Sequence, residues 1–285
     1  MTASSPATAR AHDFAQDPRP QSIPGKAARG ALAALCLVVP VCVAGAVAGQ
    51  LAGDGYMQVR NLIRIGGLLA GYAMMVHYGE RRALAEFGLK GALPEFGRGL
   101  LLGASLVAVA FAVMAGTGSF TVVGSNGGSR LAACLPLLAV MAVMEEVLLR
   151  LIVLRLLERW QGTGFALAAS SALFGLMHLG GGQAHLFGAL MLGAEGGLLF
   201  GGAYLLTRRV WLCLGLHLGW NVLEIGVCGA DPLLASKYPG WLRTQLTGPA
   251  WITGGGSIQG SVIVFVLCVA VGSLLLYRAR RRGSW

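Results

Sequence analysis

Eight apolar stretches, at 31–50, 61–78, 99–116, 131–154, 163–180, 186–206, 211–228 and 258–277, take up most of the 285 residues. Each is close to the roughly 20 helical residues needed to cross a hydrocarbon core. Lipid offers no water to backbone N–H and C=O groups, so runs of this kind are confined to helices. The sequence therefore predicts an all-α fold: a polytopic membrane helical bundle of about eight transmembrane helices. Residues 1–29 read as a disordered cytoplasmic tail, 30–278 as the bundle and 279–285 as a basic cytoplasmic tail. With 55% hydrophobic residues, 12% charged and a mean hydropathy of +0.68, the chain is too apolar for an ordinary soluble domain. The connectors leave no room for a soluble catalytic domain, so any chemistry belongs in an intramembrane cavity or at its rim.

A formal net charge of +10 would suggest nucleic acid as a partner for a soluble protein. Here the charge is partitioned instead. With the N-terminus inside, only Arg60, Arg64, Arg130, Lys237 and Arg243 of the 22 Lys and Arg residues fall near outer helix ends. That bias supports cytoplasmic termini, and Arg280, Arg281 and Arg282 read as headgroup anchors, with no nucleic acid expected. Ala46-Val47-Ala48 has the small residues of a cleavage site, yet the polar region before it is long for a signal peptide. The first run is expected to stay as a span.

Small residues four apart, such as Gly67 and Gly71, Gly99 and Gly103, Gly197 and Gly201, and Gly215 and Gly219, predict closely approaching helix backbones. Six single cysteines without a CxxC pair predict free thiols in apolar packing. The outer loop from Gly229 to Ser257, with Trp241 and Trp251, reads as an interfacial loop and a partial cap.

Ionisable side chains deep in a bilayer cost several kcal/mol unless paired or wetted, and three spans carry them together. The fourth holds Glu145, Glu146 and Arg150, the fifth Phe174 and His178, the seventh His217 and Asn221. Neighbours on a helix point about 100° apart, so the two glutamates face different partners. Glu146 and Arg150 are spaced i,i+4 with the acid first, which suits an intrahelical ion pair. Glu145 is left to another helix. His217 and Asn221 project from one face, with Glu224 a turn further on. These are the parts amide hydrolysis needs: Glu145 and His178 to hold and deprotonate a water, His217 and Asn221 to stabilise an oxyanion. Glu195 reads as a cavity or packing partner, His77 as interfacial, His185 as part of an outer glycine-rich loop, and Phe174 as packing or cavity wall.

The three motifs, in this order and on separate spans, resemble the CPBP family: the type II CAAX prenyl endopeptidases and their bacterial relatives in bacteriocin processing and self-immunity. The family pattern EExxxR, FxxxH, HxxxN is filled by Glu145, Glu146, Arg150, Phe174, His178, His217 and Asn221 over about residues 131–228. Phe87-Gly88-Leu89-Lys90 is similar to a Leu-Gly-Leu-Arg stretch of such proteins, whereas Leu149-Arg150-Leu151 departs from their frequent Phe-Arg-Gly. The resemblance implies an intramembrane endopeptidase of a bacterial inner membrane, cleaving a membrane-associated peptide or protein through a glutamate-activated water. A second reading is a non-catalytic membrane protein using the same cluster for partner binding or immunity-type protection. Zinc stays open as a cofactor, since Glu145, His178 and His217 with a water would make a tetrahedral set; the missing HExxH spacing favours metal-free chemistry.

One difficulty stands out. At 1.5 Å per residue Glu145 and His217 lie roughly 10 Å from the cytoplasmic side, but His178 lies nearer the outer face. The site assembles only if the fifth span begins elsewhere or tilts.

Overall fold

The computed structural model describes residues 23–51, 56–179, 186–231, 234, 238–255 and 257–284. Its long helices are α1 (Ile23–Gly49), α2 (Met57–Met74), α3 (Ala92–Gly116), α4 (Gly128–Glu146), α5 (Arg155–His178), α6 (Leu186–Thr207) and α7 (Trp211–Asn221). A short α8 (Ala250–Thr253) and the closing α9 (Val262–Arg281) follow. Wider π-helical turns extend α2 through Met75–Glu80, α4 through Val147–Leu154 and α7 through Val222–Val227. The all-α expectation holds. Gly30–Gly49, Ala92–Gly116, Gly188–Thr207 and Val262–Arg281 are long and apolar enough to cross a membrane, and Trp211–Val227 is a shorter apolar helix.

Several boundaries move. α1 begins at Ile23, inside the segment expected to be a disordered tail, while residues 1–22 lie outside the described residues. The basic C-terminal segment is helical up to Arg281, because Arg278, Arg280 and Arg281 in the last turn of α9 complement the negative end of the helix dipole. An antiparallel pair, β1 (Phe120–Ser125) with β2 (Leu242–Leu246), joins two loops and was not foreseen; its alternation is too short and too polar to stand out. His185 and its glycines at 180–182 lie outside the described residues.

Glycine sets the helix spacing. A Cβ on Gly99 or Gly103 would overlap the α7 carbonyls of Leu212 or Leu216, and one on Gly215 or Gly219 the α3 carbonyls of Phe96 or Leu100. Two of the expected glycine pairs thus face each other across one seam, where backbones touch because no side chain intervenes. Gly71 meets Leu37 of α1 in the same way. α6 is the central helix, with 72% of its apolar window buried inside the protein against 17% for α1. Leu35, Leu62, Leu101 and Val266 instead point outward, an apolar surface that suits lipid and not water.

The depth difficulty resolves at Gly162. Residues 155–161, expected as a connector, continue the helix, and the chain reverses where Gly162 takes φ 81° and ψ 168°. Glu145 stands 17 residues before this turn and His178 16 after it, so an antiparallel pair of helices brings both to nearly one level.

Charged side chains tie one end of the bundle together. Glu80 takes Arg155 at 2.7 and 2.8 Å and Arg82 at 2.6 Å, while Arg82 also binds Glu86 at 2.6 Å. Arg208 pairs with Glu158, and Arg209 with Glu95 at 2.9 Å. Burial pushes the Glu80 carboxyl up, but Arg155 and Arg82 outweigh it and hold it below its ordinary value. A carboxylate with a folded value below its unfolded one stabilises above the unfolded value and loses that contribution as pH falls through the folded one. Glu80→Gln is therefore expected to lower the thermal midpoint in detergent at pH 7, with the gap from wild type closing on acidification. A gap of equal size at neutral and acidic pH would remove this assignment.

Candidate active site

Glu145 and Glu146 end the regular part of α4, just before its π-helical turns. Such wide turns recur at functional sites because they re-aim side chains without breaking the helix. Glu146 and Arg150 are fully buried, and their expected ion pair is present, with Arg150 Nε 3.2 Å from Glu146 Oε2. Arg150 Nη2 also donates to the Gly196 carbonyl at 3.0 Å. Its guanidinium lies 5.6 Å from the Phe174 ring centre and 5.4 Å from that of Phe200, each a cation–π contact. Phe174 is seated against Gly196, where a Cβ would collide with its ring.

Glu146 has a second task that its i,i+4 spacing did not reveal. Its Oε1 accepts a hydrogen bond from His217 Nδ1 at 2.8 Å. The imidazole is stacked on Phe200, rings 4.8 Å apart and 19° from parallel. With Nδ1 committed to Glu146, Nε2 faces Glu145, whose Oε2 is 3.9 Å away. That is too long for a direct hydrogen bond and short enough for one oxygen atom to bond to both.

His178 Nδ1 donates to the Phe174 carbonyl at 2.8 Å, one turn back on its own helix. The carbonyl can only accept, so the proton is on Nδ1 and Nε2 offers its lone pair. Asn221 is buried one turn beyond His217, and its Nδ2 donates to nothing among the described residues. Glu145, Phe174, His178, His217 and Asn221 line one cavity of about 210 Å³.

The cavity wall includes residues the motifs did not supply. Glu195, given above as a cavity or packing partner, lines it, as do Gly196 and Phe200 on α6. Asp231, Leu234 and Gln259, from the loop after α7 and the turn before α9, complete one side, so that loop does cap the site in part. Glu224 sits behind the wall, accepting from Trp220 Nε1 at 2.6 Å and Gln259 Nε2 at 3.3 Å. Phe200 carries no signal readable without a structure; Glu195 had one, as an acid within an apolar span. His77 is exposed. All six cysteines are free. A zinc ion would need Glu145, His178 and His217 to converge, and among the described residues no group of three His, Cys, Asp or Glu side chains is arranged to hold a metal.

Residues 127–223 match a family model, type II CAAX prenyl endopeptidase Rce1-like. The matched segment contains every motif residue from Glu145 to Asn221, and the family is the one those motifs resemble. No curated protein and no solved structure matches the chain.

Removing one partner of a buried ion pair strands the other charge at a cost of about 3–5 kcal/mol. Arg150→Ala is therefore expected to cut the yield of monodisperse protein and lower its thermal midpoint, and Glu146→Gln added to it to restore part of that midpoint. A well-folded, fully active Arg150→Ala would end the structural assignment.

Proposed function

We propose that this Rce1-like integral membrane protein is an intramembrane endopeptidase that hydrolyses a peptide bond in a membrane-associated substrate, with Glu145, His178, His217 and Asn221 carrying the reaction. The observation behind this reading is their convergence on one cavity from three separate helices, one of them offering a buried amide donor without a partner.

A water held between Glu145 and Nε2 of His178 gives a proton to Glu145 as its oxygen attacks the substrate carbonyl carbon. The oxyanion that forms is held by Asn221 Nδ2–H and by His217. Because Nδ1 of His217 already donates to Glu146, the ring donates through Nε2 only as imidazolium, whose charge Glu146 compensates at 2.8 Å. Collapse of the tetrahedral intermediate breaks the C–N bond, and the proton taken from water passes to the leaving amine. Glu146, Arg150 and Phe200 touch no reacting atom and hold His217 in place, while Phe174, whose carbonyl accepts from His178 Nδ1, holds His178. We propose metal-free chemistry, because no HExxH spacing puts two metal ligands on one helix face.

The test uses a membrane-anchored peptide reporter and purified protein. Glu145→Gln should bring turnover to background, and Asn221→Ala should cost roughly 100- to 1000-fold, the usual loss on removing one oxyanion donor. Activity should survive exhaustive chelation. Stoichiometric zinc that disappears in His178→Ala and His217→Ala, with activity restored by added zinc, would overturn the metal-free mechanism. Unchanged turnover in folded Glu145→Gln would overturn the catalytic assignment itself.

We also propose that both termini and the connectors around 79–98 and 208–209 face the cytoplasm, with the 229–257 loop opposite. In support, Glu80 meets Arg155, Arg209 meets the Lys90 carbonyl, and Arg208 meets the Ser284 carbonyl, which collects these segments at one end. Cysteine accessibility on a cysteine-free background should label the 79–98 connector only from inside, and external labelling would refute the topology.

A further inference from the structure

Most polar groups on the cavity wall are already engaged. Glu145, His178, His217 and Asn221 belong to the reaction proposed above. Asp231 Oδ1 accepts from the Leu234 N–H at 3.1 Å. Gln259 donates to Glu224 at 3.3 Å and accepts from the Ser257 hydroxyl at 3.2 Å. Glu195 on α6 is different: it lines the cavity, is only 3% exposed, and its Oε1 has no hydrogen-bond partner among the described residues. Packing against a neighbouring helix therefore gives that oxygen no role.

The chemical form of this side chain follows from its surroundings. Among the described lining residues none is Lys or Arg, and Met141, Leu192, Leu199 and Cys268 make much of the wall apolar. The nearby cations, Arg150 and the imidazolium of His217, are held by Glu146 at 3.2 and 2.8 Å. In such a place a carboxylate without a cation or a donor is far costlier than the neutral acid. Glu195 stands in the cavity as COOH, which sets one O–H donor beside one carbonyl acceptor.

That pair has a complement in the peptide main chain. The N–H and C=O of one residue in an extended chain point to the same side, as in the hydrogen-bonded pairs of an antiparallel ladder. A neutral carboxyl donates to that carbonyl and accepts from that N–H together, whereas a lone ammonium or carboxylate of a substrate side chain would fit only half of it.

We propose that Glu195 forms a main-chain subsite that grips the N–H and C=O of one residue of an extended peptide in the cavity. The inference rests on the endopeptidase reading for its ligand, and gives that substrate a chemical requirement. The gripped residue keeps a free amide N–H, which admits many side chains and excludes proline.

The test separates binding from turnover. A short palmitoylated fluorescent alanine peptide is the probe, since main-chain contacts ask for no particular side chain. It is titrated against the Glu145→Gln protein in phosphatidylcholine nanodiscs, intact and with each amide in turn replaced by an ester, which removes that N–H. At one position the ester should bind roughly tenfold more weakly. In Glu145→Gln/Glu195→Met that penalty should vanish, because the length remains and both oxygens are gone. In Glu145→Gln/Glu195→Gln it should persist, since a carboxamide also carries a donor beside an acceptor. Partition of each peptide into the disc is the same for all three proteins and cancels in the comparison. The thermal midpoint of Glu195→Met should not fall below that of the wild type, because a buried thioether costs less than a buried carboxyl. A penalty abolished equally by Gln and Met, no position that depends on Glu195, no binding of the peptide, or a lowered midpoint in Glu195→Met would overturn the subsite. A Glu195-dependent penalty with no cleavage by the wild type would leave the subsite standing and defeat the peptidase reading.

Discussion

A buried chain of charge, Arg150 to Glu146 to His217, is the interaction on which the site depends. Glu146 and Arg150 are fully buried, a placement in which either charge alone would be severely destabilising. Beyond their pairing with each other, both find further partners that the tertiary structure brings: the Gly196 carbonyl and two aromatic faces for Arg150, the His217 Nδ1–H for Glu146. Three helices, α4, α6 and α7, are thereby locked in register around one pair. The same chain fixes which nitrogen of His217 faces the cavity, so the interaction that compensates two buried charges also orients a cavity-lining imidazole.

Close backbone approach makes this geometry reachable. Gly99 and Gly103 on α3 oppose Gly215 and Gly219 on α7, and Gly175 on α5 meets the Ala189 carbonyl of α6. A Cβ at any of these would push two helices apart, and with them the side chains that meet in the cavity. π-Helical turns follow directly after Glu146 and after Asn221, so regular helix gives way at the two places where side chains must converge.

Much of the site was legible in the sequence because lipid makes polarity expensive. Glu145, Glu146, Arg150, His178, His217 and Asn221 stood out as polar residues inside apolar runs, and helical periodicity alone paired Glu146 with Arg150 and His217 with Asn221. What periodicity could not show was contact between helices. The bond from Glu146 to His217 crosses 71 positions of sequence, and Phe200, which stacks on His217, looks like any other apolar residue of α6. The level of His178 was misjudged for a local reason: residues 155–161 carry Arg155, Glu158 and Arg159 and so read as a connector, yet those charges are paired with Glu80 and Arg208 at the bundle's end and the helix runs on.

The sequence by itself determined that the chain is helical and membrane-bound, and which polar side chains would be forced into one another's company, because both follow from the cost of exposing backbone and charge to lipid. Only the tertiary structure decided where the chain reverses at Gly162, that Glu146 serves two partners, that the loop after α7 and the turn before α9 supply Asp231 and Gln259 to the wall, and that Glu195 lines the cavity. Those outcomes depend on which helix faces meet, and many arrangements of the same amphipathic spans satisfy the bilayer equally well before close packing selects one.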